Sequence, residues 1–329
     1  MLARKHDEER ENRRSLLGRR DLLKAAAGLA IGSMAGPAWA THLRTKSRKN
    51  FRLGITSHVY GQLPLDEAAR RIKEDGFRSI LTNYQFADVR FDPLNPDWAA
   101  ADKIVGTFEK QGVAIAAIFG YYNVIDPDLD RRKQGEARME FYLRNWKRLG
   151  CPIVSTETGT FNRESQWMDS PENDTEEAFV QAREAFRRWA RLGEETGGVL
   201  TIEAYWRNVV GTIERAERLL KEVDSPALKL VMDPCNYFRS DDLPRMKAML
   251  QEMFQRLGPK IAIAHAKDVK DSPQGPEHPA PGRGVLDYPL YFRLLAELDR
   301  PLDLVIEHLA LDDVARSRDF VLGHIERLP

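Results

Sequence analysis

The chain has 329 residues, 42% hydrophobic and 30% charged, which is enough apolar content to bury a full core and excludes a disordered chain on composition. Fifty basic side chains balance fifty acidic ones. That zero net charge speaks against a general nucleic-acid binder, which neutralises phosphates with a basic excess.

Residues 1–40 read as an export segment rather than as part of the fold. "GRRDLLK" (Gly18 to Lys24) precedes an apolar stretch, "AAAGLAIGSMAG", and then Ala38-Trp39-Ala40, a small-residue pattern that a signal peptidase accepts. The Arg19-Arg20 pair resembles a twin-arginine export signal, with Leu22 where the pattern usually carries Phe. The alternative is an amphipathic helix with incidental arginines. The apolar stretch falls short of the roughly 20 residues that a membrane span needs, so no stable span is expected. Twin-arginine export implies a periplasmic or otherwise extracytoplasmic protein that crosses already folded. Residues 41–50 are basic and polar and read as a linker.

From residue 51 to 329 one pattern repeats: a short β-branched apolar run, a turn, then a longer amphipathic segment. The runs are "FRLGITS" (51–57), "SILTNY" (79–84), "VAIAAIFG" (113–120), "PIVSTETG" (152–159), "VLTIEA" (199–204), "LKLVMD" (228–233), "IAIAHAKD" (261–268) and "LDLVIEH" (302–308). Between them lie helical patterns with start and stop signals. Gly76 closes "LPLDEAARRIKEDGF", Thr175 is placed to cap the helix that follows it, and "TIERAERLLKEV" follows Gly211. Continuous apolar strands alternating with helices imply a parallel sheet covered on its faces. Eight such units predict an α/β fold of the closed (β/α)8 TIM-barrel type, as a single domain. No G-x-G-x-x-G follows any of the runs, which speaks against a dinucleotide-binding open sheet. Cys151 precedes one strand and Cys235 follows another, so they are expected at opposite ends of the barrel and unpaired.

The carboxyl ends of the last four strands carry the chemistry. The fifth delivers Glu203, the sixth Asp233, the seventh His265 and the eighth Glu307. Their spacings of 30, 32 and 42 residues (203 to 233, 233 to 265, 265 to 307) are those of successive strand-helix units, which makes the four neighbours in space. One strand-end carboxylate is ordinarily a cap or turn residue. Three carboxylates and an imidazole converging on one barrel mouth would repel one another without a divalent cation among them. An oxygen-rich set with one nitrogen and no thiolate suits Mn²⁺ or Mg²⁺ and also admits Co²⁺ or Zn²⁺.

With that quartet, "LGITSHVY", "HAKD", "GRGVLDYPLYFRLLAEL" and "LVIEH", the chain resembles the xylose-isomerase-like TIM barrels, in particular the sugar phosphate isomerase/epimerase branch. The resemblance implies that Glu203, Asp233, His265 and Glu307 bind one divalent metal ion. It also implies a small carbohydrate substrate and isomerase or epimerase chemistry, with Glu203 and Glu307 passing a proton by way of an enediolate. A homo-oligomer is compatible with it. Lys267 shares the strand face of His265 and could hold a substrate group or form an ion pair, whereas Asp268 points away and is expected to anchor a loop.

Further candidates for the substrate pocket are His58 and Tyr84 at the ends of the first two strands and Glu157 on the fourth. Glu157 could equally pair with an arginine such as Arg163. Trp206 and Arg207 offer a stacking and anion-binding wall, or a loop tryptophan that shields the core. In "PAPGRGVLDY", Asp287 is placed to cap the next helix. Asn236 stands where ketose epimerases carry a substrate-contacting His, and Asp271 lies where they carry an arginine. Two alternatives to the isomerase reading follow: a lyase or dehydratase on keto-sugars, keto-inositols or 3-keto-glycosides, and a non-catalytic sugar-binding barrel.

Overall fold

Eight parallel strands close into a barrel in chain order, each strand bonded to its sequence neighbours and the eighth to the first. The computed structural model describes residues 50–328, which belong to one compact unit. The expected export segment (1–40) and residues 41–49 of the expected linker lie outside the described residues.

The strands are β1 (Phe51–Thr56), β2 (Ser79–Thr82), β3 (Ala114–Phe119), β4 (Ile153–Glu157), β5 (Val199–Glu203), β6 (Leu228–Met232), β7 (Ile261–Ala266) and β8 (Leu302–Ile306). The α-helices between and after them are α1 (Leu65–Glu74), α2 (Trp98–Gln111), α3 (Leu129–Asn145), α4 (Glu176–Thr196), α5 (Ile213–Val223), α6 (Met246–Leu257), α7 (Tyr288–Glu297) and α8 (Val314–Glu326). All eight expected strands form. Each stops one or two residues before the apolar run does, because the ladder ends where the chain turns outward to build the mouth.

Two apolar layers hold the barrel. Leu81, Ala116, Ala117, Val231, Ile263 and Val305 form a small separate cluster, while a much larger one includes α1 Ile72, α4 Phe186 and α7 Phe292 with β5 Ile202 and β8 Leu304. Both β-branched and small residues are needed, since the strands are covered on both faces.

Helix starts follow local chemistry. Asp97, Asp128, Thr175, Thr212 and Asp287 each accept a backbone N–H from the first turn of the helix that follows. Gly76 closes α1 at φ +93°, a conformation that L side chains rarely adopt. Cys151 and Cys235 are buried and free. Among the described residues no helix is long and apolar enough to cross a membrane.

Candidate metal centre and active site

Glu203 is the last residue of β5, Asp233 and Glu307 directly follow β6 and β8, and His265 lies near the end of β7. One ligand atom from each of the four can be chosen so that all lie within 4.8 Å of one another. His265 Nδ1 sits 3.3 Å from Glu203 Oε1, 3.4 Å from Glu307 Oε2 and 3.6 Å from Asp233 Oδ2. Donors bound at about 2.1 Å to a shared octahedral ion lie about 3 Å apart when adjacent and about 4 Å apart when opposite. The three distances from His265 fall in that range.

Two further observations fit a cation. His265 is 1% exposed, yet neither of its ring nitrogens has a hydrogen-bond partner. Buried polar atoms are nearly always satisfied, so these orphans mark a position meant for something else. Charge points the same way. Glu203, Asp233 and Glu307 face one ammonium, that of Lys267, and the formal sum of −2 is what a divalent ion cancels.

Lys267 is buried, with Nζ 2.8 Å from Glu307 Oε1 and 3.0 Å from Asp233 Oδ2. Of its two sequence readings, the structure shows the ion pair, while the side chain also faces the cavity above the quartet. Burial opposes ionisation of Glu307 and Asp233, but the Lys267 charge outweighs it and holds both carboxyls below the usual range, Glu307 the more strongly. Burial works against the charged form of His265 too, and the Glu307 and Glu203 carboxylates overcome it to raise that ring well above its ordinary value.

The cavity over the quartet has a volume of about 490 Å³, within the usual size for a small-molecule site. Glu203 and Glu307 open onto it, as do His58, Glu157, Asn236 and Lys267. Asn236 Nδ2 donates to Glu203 Oε1 at 2.7 Å, and Tyr121 Oη donates a short hydrogen bond to Glu203 Oε2. Both oxygens of Glu203 are therefore held. Glu157 lies beside Glu203 in the β4–β5 register and does not pair with Arg163. Burial, and then the Glu203 charge, push its carboxyl well above the usual range.

Three candidates from the sequence are placed elsewhere. Tyr84 turns away from the mouth at φ +56° and donates from Oη to the Leu149 carbonyl at 2.6 Å, fully buried behind the barrel wall. Trp206 and Arg207 stack on each other, 4.5 Å from guanidinium carbon to ring centre, and Arg207 donates to the Gln274 carbonyl. They brace a loop, and their neighbour Tyr205 faces the cavity instead. Asp268 does anchor the β7–α7 loop, accepting from the backbone N–H of Val269, Gly282 and Leu286. A Cβ at Gly284 would come 2.3 Å from the Val269 carbonyl oxygen, so this tight loop requires glycine there.

Sequence reasoning passed over several cavity residues. Tyr121, two residues beyond β3, and His308, next to Glu307, both carried a strand-end signal. Phe119 ends β3 itself, while Trp167 and His278 arrive on long loops. His278 Nε2 lies 3.1 Å from the Cys235 carbonyl oxygen, which fixes Nε2 as the protonated nitrogen. Burial and then the Lys267 charge lower its pKa to about 3, so it is neutral.

Residues 61–321 match the family described as Xylose isomerase-like TIM barrel. The chain belongs to that family. No curated protein matches it in sequence. Among solved structures, a Xylose isomerase-like TIM barrel protein from Mycobacterium smegmatis in complex with magnesium superposes with a TM-score of 0.62 at 17% identity, covering 85% of this chain and 98% of that one. The 3-keto-D-glucoside 4-epimerase of E. coli gives 0.64 at 17% identity over 83% and 99% of the two chains. L-ribulose 3-epimerase gives 0.64 at 16% identity over 84% and 94%. At these identities the likeness is one of fold. Within the Xylose isomerase-like fold it is this chain's own quartet that carries the functional argument.

Proposed function

We propose that the protein is a metal-dependent sugar isomerase or epimerase that moves a proton on a keto-sugar or polyol by means of Glu203 and Glu307. One observation carries this reading: two glutamates of a buried four-donor cluster open onto a cavity of sugar size, with Asp233 and His265 beneath them. Glu203, Asp233, His265 and Glu307 would hold the ion, with Mn²⁺ or Mg²⁺ favoured by the donor set and Co²⁺ or Zn²⁺ compatible with it. A cation bound there would act as a Lewis acid on a carbonyl and its neighbouring hydroxyl, making the proton between them acidic.

The chain's own groups supply the rest. Glu203 and Glu307 stand three strands apart around the barrel, so they reach a substrate from separated directions and can serve as base and acid. Asn236 and Tyr121 fix the Glu203 carboxylate, and Lys267 keeps Glu307 ionised and ready to accept a proton. His58 lies at the cavity rim, where it can meet substrate hydroxyls. The epimerases of similar fold are consistent with this chemistry. The test is to incubate Mn²⁺-loaded protein with a panel of keto-sugars in D₂O. Deuterium incorporation without elimination is expected, and its absence across the panel, or its survival at full rate in both E203Q and E307Q, would contradict the proposal.

Glu157 favours a second reading. It is a third carboxyl in the same cavity, beside Glu203 and without a paired cation, placed where it could protonate a departing oxygen. With that step the same proton abstraction becomes a β-elimination, and the enzyme a lyase on keto-sugars or 3-keto-glycosides. An unsaturated product in the D₂O experiment would establish it.

From Arg19, Arg20 and the Ala38-Trp39-Ala40 pattern we further infer twin-arginine export of the folded protein. Fractionation should find the wild type outside the cytoplasm and an R19K/R20K variant retained within it. Cytoplasmic wild type would overturn this.

A further inference from the structure

A second cavity adjoins the one over the quartet and shares two aromatic side chains with it. Phe119 and Tyr121, with ring centres 4.3 Å apart, line the first cavity on one side and the second, of about 380 Å³, on the other. This second compartment sits between the β2–α2 and β3–α3 connections, and its walls include Asn83, Gln85, Arg90, Asp92 and Arg138. Trp167, 42% exposed, stands 6.4 Å from Tyr121 at the rim of the first compartment.

The polar groups of the second compartment divide into those already engaged and those still available. Asp97 spends its carboxylate on the backbone N–H of Ala99 and Ala100, and Asp92 accepts from the Leu94 N–H and the Asn95 amide. Among the described residues, no hydrogen bond or ion pair engages the guanidinium of Arg90 or of half-buried Arg138, although Asp92 lies near enough to feel the Arg138 charge. Asn83 Oδ1 is buried with no partner. Two free planar donors and an unsatisfied amide oxygen, beside an aromatic pair, form a set suited to vicinal hydroxyls and the apolar face of a pyranose.

We propose that this compartment is a subsite for a second sugar residue, so that the substrate class is a glycoside of at least two rings. The reacting ring lies over the quartet and the second ring beyond Phe119 and Tyr121. The inference rests on the carbohydrate reading above and narrows it. A free monosaccharide would leave Arg138 and Asn83 unpartnered in the complex. A two-ring ligand satisfies both.

Binding tests it without turnover. The full chain, loaded with Mg²⁺, is titrated with cellobiose, maltose, trehalose and methyl glucoside, and saturation-transfer NMR records which protons touch the protein. At least one disaccharide is expected to bind ten or more times tighter than methyl glucoside, with protons of both rings saturated. In R138A and in R90A, the second a safeguard because Arg90 is exposed and its loss should not disturb folding, that ratio should fall toward one. Saturation confined to one ring, equal affinities, no disaccharide binding, or an unchanged ratio in both variants would each overturn the proposal. Failure of the reaction reading shows separately, as absence of deuterium exchange.

Discussion

Asn236 Nδ2 donates to Glu203 Oε1 at 2.7 Å, joining the residue after β6 that departs from the epimerase pattern to the carboxylate proposed as acid or base. The amide cannot take a proton near neutral pH, but it can orient a group that does. A hydrogen bond to a charged acceptor contributes about 1.5–3 kcal/mol, so N236A should lose about 10- to 100-fold in turnover. Metal affinity should change little. N236D, which sets a second carboxylate against Glu203, should lose more. Steady-state rates and a Mn²⁺ titration on the two variants separate orientation from metal binding, and equal rates for N236A and wild type would remove the positioning role.

Loss of the cation and loss of Lys267 should not be independent. Lys267 partly neutralises Asp233 and Glu307, and removing one partner of a buried pair costs about 3–5 kcal/mol. K267M should therefore lower Tm strongly in chelator, where the three carboxylates face no ammonium, and less at saturating Mn²⁺, where the ion offsets most of their charge. In the wild type, Mn²⁺ should raise Tm in proportion to its binding free energy, and in H265A it should not. Melting curves with and without chelator read both effects.

Glu157 fixes the sign of one pH effect. Its folded pKa is raised above the reference value of 4.5, so below about pH 4.5 both states are protonated and the group is neutral for stability. As pH rises from there the unfolded state releases its proton first, and stability is lost by up to about 1.4 kcal/mol per pH unit until the folded pKa is reached. E157Q lacks this loss. Its Tm should match the wild type at low pH and exceed it at neutral pH, and a difference that shrinks with rising pH would contradict the assignment.

Tyr84 distinguishes core from site. Its hydroxyl serves the Leu149 carbonyl behind the barrel wall, so Y84F should cost about 1 kcal/mol of stability and leave turnover and KM unchanged. Denaturant melts together with kinetics test this, and a changed KM would return Tyr84 to the pocket.

The fold was legible because each β-branched run, each capping Asp or Thr and each closing glycine acts over a few residues of chain. The positions of Glu203, Asp233, His265 and Glu307 were legible for the same reason: a polar residue that ends an apolar strand is visible locally, and parallel order around a barrel turns four such ends into neighbours. Roles that depend on a turn beyond the strand were not. Whether Trp206, Arg207 or Tyr205 faces the cavity depends on backbone geometry after β5, and Tyr84 is turned inward by a left-handed φ that the residue type does not announce.

By itself, then, the sequence determined the eight-fold alternation and the donor set at one end of it, since hydrophobic period and strand termination are local properties. Only the tertiary structure decided which groups share a cavity with those donors. Tyr121 and Asn236 on Glu203, His278 and Trp167 at the rim, and the second compartment beyond Phe119 come from connections that follow different strands, and nothing local to any one of them specifies where the others will lie.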